Sequence, residues 1–282
     1  MDATAAFATS RTILKAYEDV EFLKRDELRP LRLQAELLKA NLVLDDHRVR
    51  STVVVFGSAR SLPPEVARDR LAAARTALAA RPEDSGAQAA VRRAEMALFD
   101  SRYYTTAREF AAKISVLGQA RPNAGDRLDF VVITGGGPGI MEAANRGAGD
   151  VGAKSIGLNI TLPHEQRPNP YISPEFNFTF HYFNMRKMHF LLRAKALCAF
   201  PGGFGTLDEL YETLTLIQTG KTKRIPVLLF GREFWERLIN WDLLVERGMI
   251  DRDDTKLFRF VEAADEAVQL IHQTYQQELD LS

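Results

Sequence analysis

Apolar positions along this chain follow two rhythms. TVVVFGSAR (Thr52–Arg60) is a short β-branched run ending in Gly-Ser, the pattern of a buried first strand. RLDFVVIT, AKSIGLNI, ALCAF and IPVLLFG read as further strands downstream, and EFNFTFHYF alternates like a strand. Between them lie stretches with helical spacing: an Ala- and Arg-rich region from about Pro64 to Leu117 broken at RPEDSG, then IMEAANRGAG, NMRKMHFLLRA, TLDELYETLTLIQTG and REFWERLINWDLLVERG. Residues from about Thr12 to Leu44 carry charges and leucines at helical spacing, broken at Pro30, and the tail from Ala263 to Glu278 is helical too. Nearly all-apolar strands alternating with helices predict an α/β fold: a Rossmann-like doubly wound parallel sheet with helices on both faces, plus an N-terminal helical extension. The expected division is residues 1–50 as that extension and 51–282 as the Rossmann-like domain, with a helical insert at about 62–118.

In such sheets ligands bind beyond the carboxyl ends of the strands. The glycines of this chain gather there, after Phe56, after Thr134 and after Pro201. Gly135-Gly136-Gly137-Pro138-Gly139 opens a helix, with Pro138 expected in its first turn, and suits a phosphate cradle as well as it suits a tight turn. It is not the dinucleotide fingerprint: counted from Gly135 or Gly137, the third glycine falls on Ile140 or Glu142. Nicotinamide chemistry is therefore not expected. Gly220-Lys221-Thr222 imitates the end of a P-loop, but it closes a helix and Thr215 stands where the leading glycine belongs.

PGGFGTLDEL (Pro201–Leu210) admits two readings. Thr206 and Glu209 have the spacing of a capping box, which explains the acid by helix chemistry alone. Against that, Leu207, Leu210, Leu214 and Ile217 form one apolar stripe, which places Glu209 and Glu212 on the opposite side. Leu216 falls on that polar side, as a face covered by a second subunit would require. An acidic face beside a glycine loop suits a sugar or a developing cation. Arg186 and Lys187 sit near a helix start, where the dipole disfavours cations, so either an anion is nearby or they line a solvated face.

Composition adds exclusions. The 282 residues carry 37 basic and 37 acidic side chains, which gives no support to nucleic-acid binding or to an acidic membrane surface. No signal peptide and no bilayer-spanning stretch is read in the sequence. The single cysteine, Cys198, cannot form an internal disulfide and lies in an apolar run as an inert core thiol. A soluble, cytoplasmic protein is expected. The five histidines show no metal-ligand spacing, so neither a metal nor another cofactor is expected.

Taken together, GGGPGIMEAANRGA, the Arg186-Lys187 pair and PGGFGTLDE resemble the Lonely Guy family, the cytokinin-activating phosphoribohydrolases. The paired signature is M-x-x-R-K or a variant, then P-G-G-x-G-T-x-x-E. The second half fits from Pro201 to Glu209, whereas Met185 directly precedes Arg186, a departure from the short plant-type spacing. GLNITLPHEQRPNPY and LTLIQTGK look like the longer bacterial branch, and the resemblance covers about Thr52 to Phe230. Many members carry the label lysine decarboxylase-like, which would require pyridoxal phosphate on a lysine; no lysine here has that context.

The resemblance implies hydrolysis of the N-glycosidic bond of an adenosine-type nucleoside 5′-monophosphate (a cytokinin riboside monophosphate, AMP or both) to free base and ribose 5-phosphate. It implies Arg186 and Glu209 as the catalytic pair. Contacts to the purine nucleotide would come from Ser58, Gly136, Gly137, Gly139, Glu165, Lys187, Gly202, Gly203, Gly205, Thr206 and Thr215. It also implies a homodimer, or a higher homo-oligomer built from dimers, with the site near the subunit boundary. Relatives of the same fold that carry nucleotide-like cofactors such as the molybdenum cofactor, without hydrolysis, supply the alternative. Cleavage would pass through an oxocarbenium-like state that a fixed carboxylate can stabilise, or attack through an activated water.

Overall fold

The computed structural model describes residues 11–120, 127–161 and 167–280. Among them, seven parallel strands form one sheet in the order β4-β3-β2-β1-β5-β6-β7. These are β1 (Thr52–Phe56), β2 (Val131–Thr134), β3 (Ser155–Ile160), β4 (Asn177–Phe180), β5 (Ala194–Ala199), β6 (Val227–Phe230) and β7 (Arg259–Val261). Six coincide with runs expected from the sequence. The seventh, Arg-Phe-Val at the edge, is three residues long and too short to carry a readable period.

Alternation along β1 builds two cores from one strand. Val54 and Phe56 join the layer with Val131, Ile133, Leu158 and Leu197, while Val53 and Val55 join the opposite layer with Val132, Ala196 and Cys198. The first layer is roofed by α1 (Arg29–Asp46), α5 (Phe183–Leu191), α6 (Phe204–Gln218) and α7 (Arg232–Leu238). The second is roofed by α3 (Ser85–Gln119), α4 (Ile140–Asp150) and α9 (Ala264–Asp280), with α2 (Pro64–Ala80) packed on α3. Strand order reverses between β1 and β5, which makes the crevice above those two strands the switch point. No described helix is long and apolar enough to cross a membrane.

Three local expectations are corrected. The Ala-rich region is not wholly an insert: the second half of α3 is the β1-to-β2 crossover, with Tyr104, Ala107, Phe110, Ala111 and Ile114 buried on the sheet. REFWERLINWDLLVERG is two helices, because Asn240 accepts the Leu243 N–H at 3.0 Å and starts α8 (Trp241–Glu246) afresh. Pro138 precedes the first turn of α4, whose N-cap is Gly139.

The N-terminal extension has a fold-level task. Ala40 and Leu44 of α1 are buried in the first core. The Glu36 carboxylate accepts the backbone N–H groups of His181 (2.7 Å) and Tyr182 (3.1 Å) at the start of α5, which lacks a side-chain cap of its own. Asp45 pairs with Arg193 just beyond that helix at 2.8 Å. So α1 anchors the helix that bears Arg186 and Lys187.

Phe110→Ala is expected to cost about 3–5 kcal/mol in urea unfolding, as for any fully buried phenyl. Met96→Ala, on the exposed outer half of α3, is expected to change stability by less than about 0.5 kcal/mol. Similar small losses at both positions would show that α3 is an appendage.

Candidate active site

Main-chain hydrogen bonds stitch three loops together above the switch point. The Ser58 N–H donates to the Pro201 carbonyl at 3.0 Å, and the Ser58 carbonyl accepts the Ile140 N–H at 3.1 Å. Ser58 thus ties the β1 loop to both glycine loops through its backbone, while its hydroxyl accepts the Arg60 N–H. Gly139 has φ of +72°, and a Cβ there would lie 2.3 Å from the Ser58 carbonyl oxygen. Gly136 has φ of +74° and a Cβ would strike Asn159. These glycines, with the buried Gly137, are accounted for by packing of the loop itself. Asn169 holds that loop by donating to the carbonyls of Gly136 and Gly137, both at 3.1 Å. It also donates to Asn145 Oδ1, which accepts Thr134 Oγ1 as well.

The PGGFG loop differs. Gly202 is needed because a Cβ would meet Thr206 Oγ1, but Gly203 and Gly205 are exposed, have ordinary φ, and would direct a Cβ into open space. Phe204 between them is 92% exposed. Among the described residues nothing asks for small side chains at 203 and 205, so the room they leave faces outward.

Below that opening sits Glu209. The capping-box reading fails: α6 starts at Phe204 with Gly203 as N-cap, no side chain caps it, and Thr206 is already inside the first turn. Nor does Glu209 lie on the far side from the leucines. One residue of helix is 100° of rotation, so it flanks Leu210 and shares the buried arc with Thr206 and Thr213. Glu209 is 7% exposed and makes no hydrogen bond or ion pair among the described residues. Burial, the largest influence, pushes its carboxyl up to about 7; Lys187 and Arg186 oppose the rise, and Glu212 and Asp208 add to it.

The two cations have different partners. Arg186 donates from Nε to the Leu158 carbonyl at 2.7 Å, lies near the Gly135 carbonyl, and pairs with no carboxylate among the described residues. Burial lowers its pKa from the ordinary value, while Glu209 acts the other way. Lys187 ion-pairs with Asp208 at 2.8 Å and Glu212 at 3.0 Å. Burial pulls its pKa down, but its interactions with those carboxylates outweigh that effect and leave it raised.

The structure thus gathers Ser58, the Gly135–Gly139 loop, Arg186, Lys187, Gly202, Gly203, Gly205, Thr206 and Glu209 around one crevice. Glu165 lies outside the described residues. Thr215 is not brought to this cluster within the chain: it is exposed on another face of α6, beside Tyr211 and Gln218. Gly220 terminates α6 with φ of +67°, as a helix-closing glycine does. Cys198 is fully buried, and burial pushes its thiol pKa far up. Sequence reasoning missed Asn145 and Asn169. The available signal for Asn145 was an amide among Ile140, Ala143, Ala144, Gly147 and Ala148 on the buried face of α4.

Comparison with known proteins bears on this constellation. A family described as "Possible lysine decarboxylase" matches residues 141–271, a span that includes Arg186, Lys187 and Glu209. The cytokinin riboside 5′-monophosphate phosphoribohydrolase LOG of Oryza sativa subsp. japonica is 30% identical over 141 residues. These matches make the chain similar to that group of proteins over about half of its length. That alignment takes in 49% of this chain and 57% of the rice protein. A second such phosphoribohydrolase, from Arabidopsis thaliana, is 25% identical over 51% of this chain and 67% of its own length. Among solved structures, the molybdenum cofactor carrier protein of Chlamydomonas reinhardtii is 16% identical with a TM-score of 0.45, covering 79% of this chain and 97% of its own.

A buried acid with a raised pKa makes the folded state bind its proton more tightly than the unfolded chain does. The resulting penalty is absent below the ordinary value of 4.5, grows as pH rises and is complete above about 7. Glu209→Gln is therefore expected to stabilise the protein by about 3 kcal/mol at pH 8 and by almost nothing at pH 4. Urea unfolding at both pH values checks this, and equal gains at both would refute the buried, uncompensated acid.

Proposed function

We propose that this protein hydrolyses the N-glycosidic bond of adenosine-type nucleoside 5′-monophosphates, releasing the base and ribose 5-phosphate. The observation that carries the reading is Glu209: a buried carboxyl without a hydrogen-bonding partner among the described residues, beneath two glycines that open outward, at the switch point of the sheet. An ionisable group kept in that condition is expensive for the fold and characteristic of a working site.

The phosphate would lie at the N-termini of α4 and α6, which have no side-chain caps, with Arg186 alongside. The ribose would approach over Gly203 and Gly205. As the C1′–N bond lengthens, positive charge grows on the sugar, and the Glu209 carboxylate would stabilise it. Titrating near neutrality, the same carboxylate can take a proton from the attacking water. Arg186, lacking a carboxylate of its own, would bind the anionic end of the substrate. The relatives named as cytokinin riboside 5′-monophosphate phosphoribohydrolases support the substrate class, with AMP and N6-substituted forms both inside it.

Glu209→Gln is expected to fold normally and to lose at least about 100-fold in base release from AMP or isopentenyladenosine monophosphate, assayed chromatographically. Arg186→Ala should show a comparable loss. Wild-type protein that binds these nucleotides without yielding ribose 5-phosphate would favour a carrier instead. A second test uses the outward glycines: Gly205→Ala should be neutral or stabilising by up to about 1 kcal/mol, since no Cβ contact exists, yet lower turnover by obstructing the sugar. Undiminished turnover in that variant would remove the ribose from this opening.

A further inference from the structure

The two cations of α5 are adjacent in sequence but have different electrostatic surroundings. Lys187 reaches across to α6 and is held by Asp208 and Glu212, one helical turn apart on either side of Glu209. Its side chain is only 15% exposed. A doubly negative phosphate brought to this ammonium would also be brought to two carboxylates, and the repulsion would offset the attraction. Among the described residues Arg186 has no such anions: its hydrogen-bonding partners are carbonyls.

From this geometry we infer that Lys187, fixed by Asp208 and Glu212, is a positioning residue that acts on the reaction through Glu209 rather than by contacting the substrate phosphate. The inference rests on the hydrolase reading above and reassigns one of its expected nucleotide contacts. The charged groups facing Glu209 are Arg186 and Lys187 from α5 and Asp208 and Glu212 from its own helix. With all five ionised, three negative charges face two positive ones. Loss of Lys187 leaves three against one, so Glu209 would hold its proton to higher pH. Asp208 and Glu212 give Lys187 a fixed place, because an ammonium tied at two points cannot swing into the crevice.

A phosphate ligand and a positioning charge predict different behaviour. For Lys187→Met, we expect the acid limb of kcat/KM to move up by about one pH unit. AMP and adenosine should lose activity at neutral pH by the same factor, so discrimination between them survives. Lys187→Arg, which keeps the charge, should restore the limb, and Lys187→Gln serves if the methionine variant does not fold. An unmoved limb, with at least a tenfold loss confined to AMP, would overturn the inference and return Lys187 to the phosphate. The carboxyl titration of Glu209, followed by 13C NMR in wild type and Lys187→Met, separates the two claims. A titration that rises in the variant upholds the link to Lys187 even if neither protein cleaves a nucleotide, whereas an unchanged titration rejects it even if wild type is a hydrolase.

Discussion

One uncompensated carboxyl organises the upper half of this molecule. Glu209 is largely buried without a hydrogen bond among the described residues, and its ionisation works against folding as pH rises from 4.5 to about 7. A fold tolerates such a group only where surrounding packing over-determines its position. Here that packing comes from the buried arc of α6, where Thr206, Leu210 and Thr213 flank the acid. Opposite it, Arg186 is pinned by strand β3 through Leu158, so neither group can rotate away to relieve the other.

The constraint reaches far along the chain. α5 carries both cations, yet its start is completed by Glu36 of α1, about 150 residues earlier in sequence. The buried glycine loop after β2 depends on Asn169, which donates to two of its carbonyls and to Asn145 Oδ1. Catalytic-looking side chains therefore sit on helices and strand ends, and the residues that hold them are amides and carboxylates elsewhere. Precision of this kind is what a site acting on developing charge requires.

Much of this could be read from the amino acids before any coordinates. β1 to β3, β5 and β6 announce themselves because strands buried on both faces are largely apolar, and edge strand β4 by its alternation, while three glycine loops mark carboxyl ends. What failed did so for identifiable physical reasons. Thr206 and Glu209 match a capping box in spacing, but spacing does not say where a helix begins, and Gly203 starts it earlier. Glu209 was placed opposite the leucines because an apolar stripe shows a helix's inner face and not how far burial spreads around it. Most of α3 was taken for an insert because its alanines hide a crossover whose buried half begins only near Ser101. Asn169 gave no signal, since a loop amide acquires meaning only once the carbonyls it serves are nearby.

Cys198 has a use that its chemistry alone would not suggest. It is the single thiol of the chain, enclosed at the centre of β5, beside β1 and facing the layer away from the crevice. Reagents can reach that sulfur only when the middle of the sheet parts, so its labelling rate is an intrinsic clock for opening of the whole domain. Because the thiol is enclosed in the sheet and not in the loops, that clock can tell a variant that has lost its chemistry from one that has lost its fold.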